Sequence, residues 1–457
     1  MNNLNRLKSI VGKNNVYSTQ EDRIAYSYDG TPALESLPDA AIRAHSVEEI
    51  SKILRLANEE KFAVIPRGSG TGLSGGSIPT KDSIILLMNH WDKIIEIDRE
   101  NLTALVEPGV ITASLHSAVE KVGLFYPPDP GSMTICTIGG NVAENAGGLR
   151  GLKYGVTKNY VMGIEAVLAN GEVVNLGGKN VKDVAGYNLK DFLVGSEGTI
   201  AIFTQILLKL IPKPKAQKTM LAYFRHMTDA AQTVSDIIAA HIIPATLEFL
   251  DQVTIQCVED FARIGLPKDI GALLLIEVDG HPAQVADETE QIIPIARKNG
   301  ASEVKIASTE KEANDLKTAR RSAFAALARA KPTTILEDAT VPRSQLAPMV
   351  DKIQRIAKKY QIRMGVFGHA GDGNLHPTAL ADERDINEMN RVEEAFEEIF
   401  REALELGGTL TGEHGVGLAK KRYLEKWGSS GEKELMQKLK KALDPNNVLN
   451  PGKVFDV

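Results

Sequence analysis

Residues 66–80 read PRGSGTGLSGGSIPT, and five of the ten positions 67–76 are glycine. The apolar run Phe62–Pro66 just before has the pattern of a strand. Gly70-x-Gly72-x-x-Gly75 therefore has the spacing of a dinucleotide fingerprint, with Glu96 or Asp98 as the ribose acid. A fingerprint of that kind must open a helix whose N-terminus holds the pyrophosphate. Here Gly76-Ser77-Ile78-Pro79 runs toward another strand, Ser83–Met88. The sequence predicts a glycine loop between two strands, with no helix dipole to use. Its successive amide N–H groups can still form an anion-binding nest around a diphosphate, because residues without Cβ let the backbone approach.

The rest of the chain narrows the function classes. Its 457 residues are 43% hydrophobic and 25% charged, which implies roughly two to four domains with real cores. Lys and Arg total 53 against 59 Asp and Glu, a net charge of −6, and no basic cluster is interleaved with aromatics. That balance excludes an electrostatic footprint for nucleic acid. Cys136 and Cys257 are the only cysteines. They exclude a disulfide framework, an Fe–S centre ligated by this chain alone, and a CxxC redox site; both read as small packing residues. The opening MNNLNRLKSIVGKNN has no apolar signal region, and no apolar run approaches the ~18 residues of a membrane span. The expectation is a cytoplasmic protein that meets a membrane only through a partner.

Glycine is dense at 66–76, 131–155 and 195–198, then again at 365–373 and 407–417. Ser46-Val47-Glu48-Glu49 has the form of a capping box opening a helix through Ala57. Strands read at Ile94–Asp98, Ala104–Glu107, Ile164–Leu168 and Ile200–Ile206, with an Asn170-Gly171 hairpin signal. Pro212 and Pro214 mark a seam. Beyond it, helices at about 227–241, 282–298, 311–329 and 345–360 alternate with strands at about 219–224, 272–278, 335–340 and 362–368. This is an α+β pattern, an antiparallel sheet covered by helices. The helix 384–406 carries Val392, Phe396, Ile399, Phe400 and Leu404 on one face, read as core.

Two further loops join the first. PDPGSMTICTIGGNVAENAGGLRGLKYG covers 128–155 and GSEGTI covers 195–200. Together the three segments closely resemble the FAD-binding domain of the vanillyl-alcohol oxidase / p-cresol methylhydroxylase family, in the branch of D-lactate dehydrogenases, D-2-hydroxyglutarate dehydrogenases and the glycolate oxidase catalytic subunit. The resemblance runs over about residues 36–455. It implies a two-part FAD-binding domain at 1–214, a substrate or cap domain at 215–410, and a segment 411–457 returning to the flavin domain. It places Pro66, Arg67, Gly68, Ser69, Gly70, Thr71, Gly72, Leu73, Ser74 and Gly75 around the pyrophosphate of a non-covalent FAD. Pro130, Gly131, Ser132, Thr137, Gly139, Gly140, Asn141, Asn145, Gly147, Gly148, Tyr154 and Gly155 are implied at the flavin. Gly195, Glu197, Gly198, Thr199 and Ile200 are implied toward the nucleotide half, with Asn450 reaching back from the C-terminal strap.

The second constellation is VFGHAGDGNLHP, 366–377. Asp372-Gly373 is a two-residue hairpin signal, and centring the turn there opposes His369 to His376 on one side of a sheet. Directly opposed Cβ atoms lie about 4.5–5.5 Å apart, close enough for two imidazoles to share one metal. Gly412-Glu413-His414-Gly415 offers a carboxylate as a third ligand; in an extended chain Glu413 and His414 point apart, so one ligates and the other does not. The resemblance implies that His369, His376 and Glu413 bind a divalent metal (Zn, Mn or Fe) and that His414 is the general base. Asp372 reads as a turn residue. Arg320 is implied as the clamp on a substrate carboxylate, with Arg321 a rival, since the guanidinium fork matches two oxygens. Leu336 stands where some dicarboxylate-specific relatives carry a lysine, which favours a small monocarboxylate.

The expected reaction is oxidation of a D-2-hydroxy acid, lactate or glycolate, to the 2-oxo acid, with electrons leaving through an iron–sulfur or electron-transferring flavoprotein partner. A flavin oxidase of the same fold that uses oxygen directly is one alternative. A non-haem iron oxygenase built on the two-histidine, one-carboxylate triad is another, and it leaves the three glycine loops without a purpose.

Overall fold

The computed structural model describes residues 2–457 and contains three main sheets. The first has four strands in the order Val16–Tyr17, Ala40–Arg43, Ser83–Leu87, Ala63–Arg67, the last three parallel. Parallel neighbours ordinarily need a helical crossover. Ala63–Arg67 and Ser83–Leu87 are instead joined by the glycine loop 68–82, which contains no helix, as the sequence predicts. Helix Val47–Glu60 covers this sheet, with Ile50, Ile53, Leu54 and Ala57 buried along one stripe. Ser46 Oγ caps it by accepting the Glu49 amide, while the Glu49 carboxylate takes the amide of His45, one residue earlier than a capping box requires.

The second sheet is antiparallel, ordered Ile94–Asp98, Thr103–Val106, Ala201–Lys209, Val161–Leu168, Val173–Gly177. The Asn170-Gly171 turn joins Val161–Leu168 to Val173–Gly177. The third and largest sheet runs Glu303–Ile306, Ala216–Phe224, Ala272–Gly280, Thr246–Asp251, Arg363–His369, Asn374–Ala381, Thr333–Leu336, with Ala339–Thr340 also on Asn374–Ala381. All its pairings are antiparallel. Helices Met227–Ala239, Pro282–Lys298, Leu346–Lys359 and Ile386–Glu405 bury their apolar faces with its strands in one large core. In Ile386–Glu405 the stripe Val392, Phe396, Ile399, Phe400 is buried, as its spacing predicts.

Two readings change. The sequence gives no element at 246–262, but Thr246–Asp251 is a central strand followed by helix Gln252–Ala262. The expected helix 311–329 is two, Glu310–Arg321 and Ala323–Ala328, meeting at Ser322, whose hydroxyl bonds back to the Ala319 carbonyl.

After helix Ser430–Leu443, the chain turns at Asp444 and runs beside the first sheet. Val64 N donates to Val448 O, and Asn450 N to Val64 O. Among the described residues no helix is long and apolar enough to cross a membrane.

Candidate active site

A cavity of about 830 Å³ runs between the glycine loops and the third sheet. Its size suits a large ligand. At one end lie Pro66, Arg67, Gly68, Ser69, Gly70, Thr71, Gly72 and Leu73. None of the amides of residues 69–73 donates to a protein acceptor among the described residues, so the loop presents a run of free N–H groups. That is the donor set a diphosphate requires, and the predicted pyrophosphate loop fits it. Pro130, Gly131, Ser132, Thr137, Gly139, Gly140, Asn141, Glu197 and Gly198 continue the wall. Cys136 also lines it, where the sequence reading gave it a packing role only.

Other predicted contacts stand behind the wall. Ser74 accepts the amides of Leu418 and Ala419 through its carbonyl, and Gly75 N donates to Thr31 Oγ1. Asn145 Oδ1 accepts the Lys158 amide. Tyr154 donates its hydroxyl to Asp279 Oδ2 in the large sheet at 2.7 Å. Gly147 packs on Glu413, Gly148 on the backbone of Asp129, and Gly155 on Asn159. Gly195 N bonds Val142 O, Thr199 Oγ1 bonds Ser196 O, and Ile200 is buried core. Asn450 Nδ2 ties Gly76 O to Glu197 O at 2.9 and 2.7 Å. Glu197 itself accepts the amides of Val416 and Gly417, and so anchors the loop that carries Glu413 and His414.

The cavity's other end gathers His369, His376, Glu413, His414, Arg320 and Arg321. The histidine hairpin differs in register from the expected one. His369 pairs with Asn374 and His376 with Phe367, because residues 370–373 form a 3-10 turn closed by Gly373 at φ 75°. The shift is by two residues, so parity is kept and both imidazoles remain on one face, ring centroids 5.2 Å apart. Asp372 lies in this turn, as expected.

The loop 411–415 is not extended. It wraps the fully buried Asp338, whose Oδ2 accepts the Thr411 hydroxyl and the amides of Gly412, Glu413 and His414. Curling around one carboxylate turns Glu413 and His414 toward the same point, contrary to the extended-chain expectation. Nε2 of His369, His376 and His414 lie 3.0, 3.3 and 3.7 Å from Glu413 Oε1. His369, His376 and Glu413 offer ligand atoms within 4.8 Å of one another, as do Asp338, His376 and His414.

Buried charges in the cluster offset one another. Burial works against a charged imidazole, yet the Glu248 and Glu413 carboxylates outweigh it and hold His369 well above its ordinary range. Burial also opposes ionisation of Glu413, but His369 and His376 hold it well below the usual carboxylate range. His414 goes the other way: burial pushes it down to about 4 despite the nearby Asp338, leaving a neutral imidazole. Its ring stacks on His376 at 5.0 Å.

Glu248 and Asp338 are the residues that sequence reasoning missed. Glu248 is fully buried; its Oε1 bonds His369 Nδ1 at 2.7 Å and its Oε2 lies 2.5 Å from Arg320 Nη2. The available signal was an acid inside the otherwise apolar run TLEFL. Arg320 stacks on Phe367, and Arg321 instead reaches Asp129 Oδ2 at 3.0 Å. Phe324, Leu336 and Phe367 supply apolar wall.

Comparison with known proteins agrees with this architecture. Residues 38–177 match the FAD binding domain model, and residues 213–454 match the C-terminal domain model of FAD linked oxidases. The chain is 56% identical to the glycolate oxidase subunit GlcD of Bacillus subtilis over 98% of its length and 96% of that protein's. It is 37% identical to a D-lactate dehydrogenase of Archaeoglobus fulgidus, covering 94% of this chain and 95% of that one. Among solved structures it superposes on p-cresol methylhydroxylase with a TM-score of 0.81 at 19% identity, covering 100% of this chain and 96% of that one. With the free-amide loop, the α+β two-part fold and these matches in place, the chain belongs to the FAD-linked oxidases and is an FAD-dependent oxidoreductase.

Proposed function

We propose that the chain oxidises a small D-2-hydroxy acid, lactate or glycolate, to the 2-oxo acid, and passes the electrons to a partner subunit. The observation that carries this reading is the convergence of His369, His376, Glu413 and His414 beside Arg320, in the cavity whose far end offers the free-amide loop. When bound, FAD supplies a two-electron acceptor, and a divalent metal held by His369, His376 and Glu413 supplies Lewis acidity.

The chain's own groups do the rest. Arg320, buried and with Nε lacking an aligned acceptor, receives the substrate carboxylate. His414, neutral and facing the same point, takes the hydroxyl proton. Phe324, Leu336 and Phe367 exclude water, and the second arginine, Arg321, is engaged by Asp129, which favours a monocarboxylate. The relative named as a glycolate oxidase subunit supports a partner protein; an iron–sulfur or electron-transferring flavoprotein is the type we propose. The loop of residues 178–188, where Val181, Val184 and Tyr187 are 93–96% exposed on the flavin-binding part of the chain, also supports a partner.

Anaerobic stopped-flow mixing of the FAD-loaded chain with D- and L-2-hydroxy acids tests the reading. Rapid bleaching of the flavin bands by D-lactate or D-glycerate-sized monocarboxylates, or by glycolate, is expected. No bleaching by any acid of the panel overturns it. The reduced chain should then pass electrons quickly to artificial dyes, slowly to oxygen, and not at all to NAD; steady peroxide release at each turnover would favour the oxidase alternative.

A further inference from the structure

Arg320 and His369 are tied to the same carboxylate. Strand Thr246–Asp251 pairs with Arg363–His369 through Phe249 with Gly368 and Leu250 with Phe367. The next step of that antiparallel register brings Glu248 opposite His369, where side chains meet directly. Glu248 Oε1 accepts a hydrogen bond from His369 Nδ1 at 2.7 Å, which fixes the ring with Nε2 facing Glu413 Oε1 at 3.0 Å, the edge a bound metal would use. Its other oxygen lies 2.5 Å from Arg320 Nη2. That pair is in contact without being aligned as a hydrogen bond, and Arg320 Nε and Nη2 have no aligned acceptor among the described residues. The Arg320 guanidinium is also pinned over the Phe367 ring, 4.9 Å from its centroid, and Phe367 pairs across the ladder with His376. Glu248 is fully buried and Arg320 is 5% exposed, so neither side chain has room to wander.

We propose that Glu248 is a positioning residue that fixes the distance between the metal-binding imidazole and the carboxylate-binding guanidinium, and so selects acids whose hydroxyl sits on the carbon next to the carboxylate. The inference rests on the functional reading above and adds a rule for it. A hydroxyl and a carboxylate on adjacent carbons span one fixed, short distance. One further methylene moves them apart. A receptor whose two halves hang from separate flexible elements would accept both spacings; a receptor hung from one buried carboxylate accepts one. The bland alternative is that Glu248 only neutralises a buried arginine.

Four proteins separate these ideas: wild type, Glu248→Gln, Arg320→Gln and the double variant, each loaded with FAD and titrated with Mn²⁺ or Zn²⁺. Glutamine keeps an acceptor for His369 Nδ1 but turns a donor toward Arg320. In Glu248→Gln, metal binding measured by elemental analysis after dialysis should stay within about threefold of wild type. The half-saturating concentration for flavin bleaching by D-lactate should rise about tenfold or more, with a smaller change in the limiting rate. Discrimination between 2-hydroxybutyrate and 3-hydroxybutyrate should fall by a similar factor. In the Arg320→Gln background, the same Glu248→Gln change should add little to half-saturation, because its partner is gone. Unchanged half-saturation and discrimination in Glu248→Gln would show mere charge neutralisation and overturn the proposal. Tighter acid binding would show that Glu248 competes with the substrate, and would overturn it too. If Glu248→Gln loses its flavin or its cooperative melt, Glu248→Asp takes its place: the shorter side chain keeps the charge but cannot reach both partners. Retained wild-type discrimination in that variant would equally sink the idea. A wild-type chain that takes up no metal and is bleached by no hydroxy acid would bring down the functional reading first, and this inference with it.

Discussion

Gly147 lies against Glu413: a methyl group on its Cα would fall 2.5 Å from Glu413 Oε2 and 3.3 Å from its Cβ. A real Cβ cannot sit there, so the missing side chain at Gly147 is what lets Glu413 reach the three imidazoles. Gly147→Ala should push Glu413 out of the cluster. The purified variant is expected to keep its flavin, read as the ratio of flavin to protein absorbance, and to lose metal by elemental analysis. Loss of flavin with metal retained would place Gly147 in the flavin wall instead, as the sequence resemblance implies.

Glu413 and His414 should separate by chemistry although they converge in space. Glu413 Oε1 is the point on which the three Nε2 atoms close, so Glu413→Gln should weaken metal binding. His414→Asn should keep the metal and lose about 10²–10⁴-fold in the rate of flavin reduction, the usual cost of removing a general base. Metal titration and single-turnover reduction of both variants check the pair. An empty metal site in His414→Asn would reverse the two roles.

The sequence made the glycine loop and the two-histidine hairpin legible because each depends on local chemistry: φ, Cβ-free backbone, turn propensity. The helix-free link from Arg67 to Ser83 followed from Gly76-Ser77-Ile78-Pro79 alone. The hairpin's parity survived a wrong register because a two-residue slip leaves side chains on the same face. What stayed hidden was non-local. Glu248 is defined by a register between strands more than a hundred residues apart in sequence, and Asp338 by a loop that folds around it. The extended geometry assumed for Glu413 and His414 failed for the same reason: three consecutive amides, 412–414, bend to satisfy one buried carboxylate.

Asp338→Asn tests that last point directly. A carboxamide presents only one acceptor to a site that holds five donors, including Asn374 Nδ2. The variant should lose roughly 2–4 kcal/mol of stability. Hydrogen exchange at the amides of Gly412, Glu413 and His414 should accelerate well before that of the sheet. Unchanged protection at those three amides would mean that the loop is held by Glu197 alone.

Asp251 gives a pH signature away from the cluster. It caps helix Gln252–Ala262 by accepting the Thr254 amide, and burial raises it to about 6 although that bond opposes the shift. An unfolded aspartate titrates near 3.9. Between those values the folded chain holds a proton that the unfolded chain has released, so stability from this group falls as pH rises toward 6 and stays lower above it. Asp251→Asn removes the titration. The difference in unfolding free energy, variant minus wild type, should grow by on the order of 2–3 kcal/mol between pH 4 and pH 7 in urea titrations. A difference that stays flat over that range would rule the shift out.

The strap that crosses the first sheet sets an order of events in time. Val448 and Asn450 complete the edge of the strand Ala63–Arg67, which leads straight into the free-amide loop. Asn450 then pins Gly76 to Glu197, and Lys453 Nζ, buried, grips the carbonyl of Ile78. Asn450 and Lys453 follow Gly76 and Ile78 by more than 370 positions of chain. The two ends of the cofactor loop are therefore made long before the residues that fasten them. A nascent chain can build its helix-covered sheets as they emerge, but the dinucleotide cradle stays unfastened until residues 448–453 have followed it out.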